Sequence, residues 1–172
     1  IDGKQPALKL DAETSGDGSC FSYATCQQCE RPGVKLYLQS RGIRVKDIFH
    51  LKQQVREFVE RNSQSEKILN LKRNFMLSRD IPLHLLSRSW THYWEEMQKR
   101  KTWADDVFLW CTAFFLKVDL RIIFAGAETE GQADTIVSGK FTEDDAEDLP
   151  VLYYGYVAVS YTHLTLPTSS QV

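Results

Sequence analysis

From Ile48 to about Asn62 the apolar residues Ile48, Leu51, Val55, Phe58 and Val59 recur at intervals of three and four. That spacing makes one stripe of an amphipathic helix, with Lys52, Arg56, Glu57 and Glu60 mostly off it and Asp47 placed to cap its start. A second helix is predicted from Glu66 to about Leu77, bearing Ile68, Leu71, Phe75 and Met76 and interrupted by Asp80-Ile81-Pro82. A third, from about Leu86 to Lys99, carries Trp90, Tyr93, Trp94 and Met97, read as packing residues. Beyond Trp103-Ala104-Asp105-Asp106, the run Val107, Leu109, Trp110, Ala113, Phe114 and Leu116 is apolar on more than one face. The helix it predicts, capped by Thr102 and ending near Lys117, should therefore be central.

That helix feeds a short β-branched and aromatic run, Asp119 to Phe124, which reads as a buried strand. Pro150 to Tyr154 reads as another, with Gly155-Tyr156-Val157 extending or bending it. Between them, Ala125 to Leu149 holds glycines and the acidic run Glu143 to Asp148, predicting an exposed excursion. Nearer the start, Cys20 to about Glu30 permits a helix that Pro32-Gly33 stops, and Val34 to Arg44 has no clear period. Ile1 to Ser15 is mostly polar and is expected to pair weakly or fray. Helices followed by strands predict an α/β or α+β layer rather than a bundle.

Composition narrows this picture. The 172 residues, 42% hydrophobic, suit one domain with a single core. A formal net charge of -2, from 21 basic and 23 acidic residues, gives no reason to expect nucleic acid or an anionic membrane surface as partner. No apolar run approaches the roughly 18 residues of a membrane span, and Ile1 to Leu10 lacks the apolar segment of a signal peptide. Three of the four cysteines (Cys20, Cys26, Cys29, Cys111) crowd into ten residues, which suits a reducing compartment, cytoplasmic or nuclear. Cys26-x-x-Cys29 has no second Cys or His pair at matching spacing, so it is read as part of a helix rather than a metal or redox site. No metal or cofactor is expected, and the chain is expected to be a monomer.

The candidate chemistry lies in Gly16-Asp17-Gly18-Ser19-Cys20-Phe21-Ser22-Tyr23-Ala24. Two glycines, an acid and a small polar residue put a thiol where a tight turn enters a helix. There the positive end of the helix dipole favours an anion, and Cys20 becomes a candidate nucleophile. A buried cysteine acting as a small hydrophobe fits the same residues.

Several separated pieces resemble one family, the ovarian-tumour (OTU) cysteine proteases that remove ubiquitin. Asp17-Gly18-Ser19-Cys20 is similar to the family's Asp-Gly-Asn-Cys nucleophile motif, with Ser19 in place of Asn. The stripe from Leu51 to Asn62, the block from Tyr93-x-x-x-Met97 through Trp103-Ala104-Asp105 to Phe124, and Val151-Leu152-Tyr153-Tyr154-Gly155-Tyr156 resemble later pieces in the family's order. The resemblance implies an α+β fold of the papain-like superfold, OTU type, with a small central β-sheet flanked by helices. It implies Cys20 as nucleophile, backbone N–H groups of Gly18, Ser19 and Cys20 at the oxyanion, Asp17 as an acid of the active-site motif, and ubiquitin or polyubiquitin as partner. A catalytically inactive ubiquitin-binding module, or a protease for another ubiquitin-like modifier, fits the same motifs.

Of the four histidines, His50 and His92 fall in predicted helices and His84 in a linker; His163 alone stands beyond the last strand, where the family keeps its catalytic histidine. Its surroundings depart from the family pattern of His, an aromatic, then Asn or Asp. Leu164 and Thr165 follow it, and six residues separate it from Tyr156. Val159 to Ser170 also resembles a peptide translated from adapter DNA at the ends of assembled environmental sequences. On that reading His163 is a coincidence. The expected organisation is an N-terminal extension, 1–14, an OTU-like catalytic domain, 15–165, and an overlapping tail, 159–172, of non-native sequence.

Overall fold

The computed structural model describes residues 9–12, 18–124, 134–157 and 160–165. In chain order the described elements are β1 (Lys9–Ala12), α1 (Cys20–Cys29), α2 (Pro32–Ser40), α3 (Ile48–Arg61), α4 (Glu66–Ser78), a 3-10 turn (Leu83–Leu85), α5 (Leu86–Met97), α6 (Asp106–Leu116), β2 (Asp119–Phe124), β3 (Thr135–Val137), β4 (Val151–Val157) and β5 (Ser160–Thr165). The strands form one mixed sheet in the order β1-β5-β4-β2-β3. β2 and β4 run parallel, with Leu120 opposite Leu152 and Ile122 opposite Tyr154, and the remaining pairs are antiparallel. The architecture is α+β, a small sheet with helices packed on it.

α6 is the central helix its composition predicts. Val107, Phe108, Leu109 and every residue from Cys111 to Leu116 are buried. Its cap differs from expectation: the Asp105 carboxylate accepts from Phe108 N at 3.0 Å, whereas the Thr102 hydroxyl donates to the Glu96 carbonyl at 2.6 Å. An aspartate nearer the first turn accepts the first-turn N–H and favours the positive helix end. α3 lies behind α1 and α6 and buries Ile48, Leu51, Val55 and Val59, capped by Asp47 as its sequence predicts. Each such side chain contributes about 1.5–3 kcal/mol on leaving water. Lys52 departs from the predicted polar face and is buried as deeply as the stripe.

Two further differences have local causes. Pro32 ends the approach from α1 but also starts α2 at its first position, where a missing N–H costs nothing. Within the acidic run, Glu143, Asp144, Glu147 and Asp148 are exposed, but Asp145 is an anchor. Its carboxylate accepts from Phe141 N and Thr142 N and pairs with Lys117 Nζ at 2.7 Å. Burial alone would raise its pKa, but the Lys117 ammonium and the two backbone donors outweigh this and hold it down at about 2.

Candidate active site

Cys20 is the first residue of α1, and the chain reaches it through a turn that only glycine can make. Gly18 has φ +97°, a left-handed conformation, and a Cβ there would overlap the carbonyl of Lys101. Ser19 follows as the N-cap residue, its carbonyl accepting from Tyr23 N at 2.9 Å. Gly18, Ser19 and Cys20, the three residues proposed from sequence for the oxyanion, therefore form one buried turn at the helix start.

α1 is aimed by its contacts with β4. Thr25 Oγ1 donates to the Phe21 carbonyl at 2.8 Å and lies 2.8 Å from the Tyr154 hydroxyl. Because the Thr25 proton is spent on Phe21, the tyrosine is the donor in that second bond. The rings of Phe21 and Tyr154 lie 5.0 Å apart, tilted by 32°. One turn further on, the Gln28 amide behaves like an extra strand residue: Nε2 donates to the Tyr153 carbonyl at 3.0 Å and Oε1 accepts from Tyr153 N at 3.1 Å. No local pattern in the sequence marks Thr25 and Gln28, since their strand partners lie more than a hundred residues away.

Beside β4 runs β5, where the register sets His163 opposite Tyr154 on one side and Ala12 of β1 on the other. α1 packs against β5 as well as β4. The helix that begins at Cys20 and the strand that contains His163 are thus neighbours. The His163 side chain and the whole of Asp17 lie outside the described residues.

No family model and no curated protein matches the sequence. Solved structures do match. An OTU deubiquitinase from Wolbachia pipientis wMel is similar with a TM-score of 0.56, over 95% of this chain and 92% of its own, at 18% identity. The viral OTU domain protease from Farallon virus gives 0.55 over 92% and 84% at 13% identity. The Hazara virus OTU bound to ubiquitin gives 0.53 over 94% and 83% at 13% identity. The fold is that of the OTU domain.

Within this OTU fold the remaining cysteines are poorly suited to nucleophilic work. Burial, with Asp47 and Glu30 adding to it, pushes the Cys26 thiol up to about 12. Burial likewise pushes Cys29 and Cys111 up. Thiols so raised stay protonated and inert at neutral pH. Cys26 and Cys29 both lie on α1, as read from sequence, and no cluster of metal ligands occurs among the described residues. His50 accepts from Lys46 N through Nδ1 at the start of α3, and His84 and His92 are exposed in the 3-10 turn and on α5. Cavities among the described residues lie elsewhere in the OTU fold. One of about 550 Å³ is lined by Cys29, Leu38 and Val45 beside α2, and a groove of about 1100 Å³ runs along α5 past Phe75, Arg79 and Tyr93. Cys20 lines neither and is 1% exposed.

Proposed function

We propose that this protein is a deubiquitinating thiol protease that hydrolyses the isopeptide bond after the ubiquitin C-terminus, with Cys20 as nucleophile. The observation that carries the reading is Cys20 at the first position of α1, directly after a left-handed Gly18, in an OTU fold. In this reaction the Cys20 thiolate attacks the carbonyl carbon and the substrate lysine leaves as an amine. Water then hydrolyses the thioester. His163 takes the thiol proton and returns it to the leaving amine, and N–H groups of the Gly18–Cys20 turn stabilise the oxyanion. Asp17 shapes the turn or the field around the histidine. Ubiquitin-bound relatives of the same fold support ubiquitin as partner. A ubiquitin suicide probe is expected to label the wild type and not Cys20→Ala; a folded wild type that stays unlabelled defeats the proposal.

A second reading, a catalytically inactive ubiquitin-binding module, is favoured by a specific observation: Cys20 is buried. Ser19 and the Leu164-Thr165 pair, where the family carries other residues, point the same way. Ubiquitin binding retained with Cys20 alkylated by iodoacetamide more slowly than a free cysteine would favour this module.

A further inference from the structure

Lys52 is 1% exposed, and its ammonium, costly to bury without a partner, donates to the Lys99 carbonyl at 2.7 Å. Lys99 lies just beyond the C-terminus of α5, where helix carbonyls point outward and the dipole is negative. A cation placed there is stabilised by both. The same end of α5 is tied twice more. Gln98 Nε2 donates to the Lys52 carbonyl at 3.4 Å, and Thr102 Oγ1 donates to the Glu96 carbonyl at 2.6 Å. At the other end of the segment, Asp105 caps α6 while accepting from Tyr93 Oη and Arg79 Nη2, both at 2.5 Å. Residues 98–105 are therefore held at both ends. Between those ends, Lys101 presents the carbonyl that closes on Gly18, leaving no room for a Cβ.

We propose that Lys52 is a positioning residue for the turn that carries Cys20. Its buried ammonium fixes the 98–105 segment, and that segment holds Gly18 and hence the N–H groups of residues 18–20 in place. The catalytic part of this inference rests on the protease reading above. Its mechanical part stands apart from it, because the coupling of Lys52 to the turn exists with or without turnover.

The experiment pairs two readouts on Lys52→Met, which keeps the aliphatic stem and removes the hydrogen bond. Hydrolysis of a fluorogenic ubiquitin C-terminal amide gives kcat and KM. Hydrogen exchange of a peptide spanning residues 18–21 reports the turn. Val59→Ala, a truncation in the core on the same helix, controls for general loosening and is compared at equal fraction folded. Lys52→Met is expected to lower kcat by about tenfold or more with KM within twofold, as a displacement of the oxyanion donors would. Exchange in 18–21 should rise in Lys52→Met and not in Val59→Ala. Thr102→Val, which loosens the same segment with less burial at stake, should show both effects at smaller size and serves if Lys52→Met does not fold. Unchanged exchange in 18–21, or a kcat within twofold of an active wild type, overturns the proposal. If the wild type does not cleave ubiquitin, the protease reading fails, and exchange alone decides the role of Lys52.

Discussion

α1 and α6 both press on the sheet and both are largely buried, yet they are held by opposite means. α6 is capped by its own residues: Asp105 caps its first turn, Asp106 adds an acid there, and the left-handed Lys117 closes its end. α1 has no side-chain cap from Ser19 and no acid in its first turn. It is instead held from a distance, by Lys101 against Gly18, Tyr154 on Thr25 and Tyr153 on Gln28. A helix that caps itself needs only to form; a helix without a side-chain cap must also be aimed, and for α1 that aim comes from contacts far along the chain.

The largest test of this contrast is Gly18→Ala. A side chain at φ +97° and in the space of the Lys101 carbonyl should cost about 3 kcal/mol or more, read as a shift in the urea midpoint. A loss below 1 kcal/mol would mean that α1 is not held through this turn. Asp105→Ala comes next. It removes a cap and leaves the Tyr93 hydroxyl and Arg79 without their acceptor, for an expected loss of about 2 kcal/mol. Asp105→Asn should recover about half, because the cap survives while the charge does not. If Asp105→Ala proves costlier than Gly18→Ala, the ranking of the two helix starts is reversed. The smallest and sharpest comparison sets Thr25→Val in α1 against Thr112→Val in α6. Each threonine bonds the carbonyl four residues back, but only Thr25 also serves a buried tyrosine. Thermal unfolding should show about 1–2 kcal/mol lost for Thr25→Val and under about 0.5 kcal/mol for Thr112→Val. Equal losses would remove the difference in how the helices are tied.

The parts held locally are the parts legible in the sequence. The stripe of α3, its Asp47 cap, the all-round apolar character of α6 and the runs that became β2 and β4 follow from spacing and composition alone. So does Cys20 at a helix start, because glycine, a small polar residue and an unbroken run announce it. What spacing does not carry is partnership. Lys52 read as polar surface because its acceptor, the Lys99 carbonyl, is 47 residues away. Thr102 resembled a cap, but its hydroxyl was already committed to Glu96, leaving Asp105 to do the capping. Asp145 was hidden among like charges, and only Lys117 and the 141–142 amides distinguish it. His163 shows the same limit, since its opposition to Tyr154 depends on strand order rather than on the residues around it.

The order of the strands also sets a timetable. β4 rests on β2 in parallel, and β5 stands between β4 and β1, so the strands that receive α1 are the last described segments to leave the ribosome. A pairing as distant in sequence as β1 with β5 forms late, after the loop-closure entropy between the two strands has been overcome. Until then Phe21, Thr25 and Gln28 have no β4 to meet, and a nascent chain exposes the Cys20 helix without its aim. The orientation of α1 is therefore a late event in folding, set when β4 and β5 join the sheet.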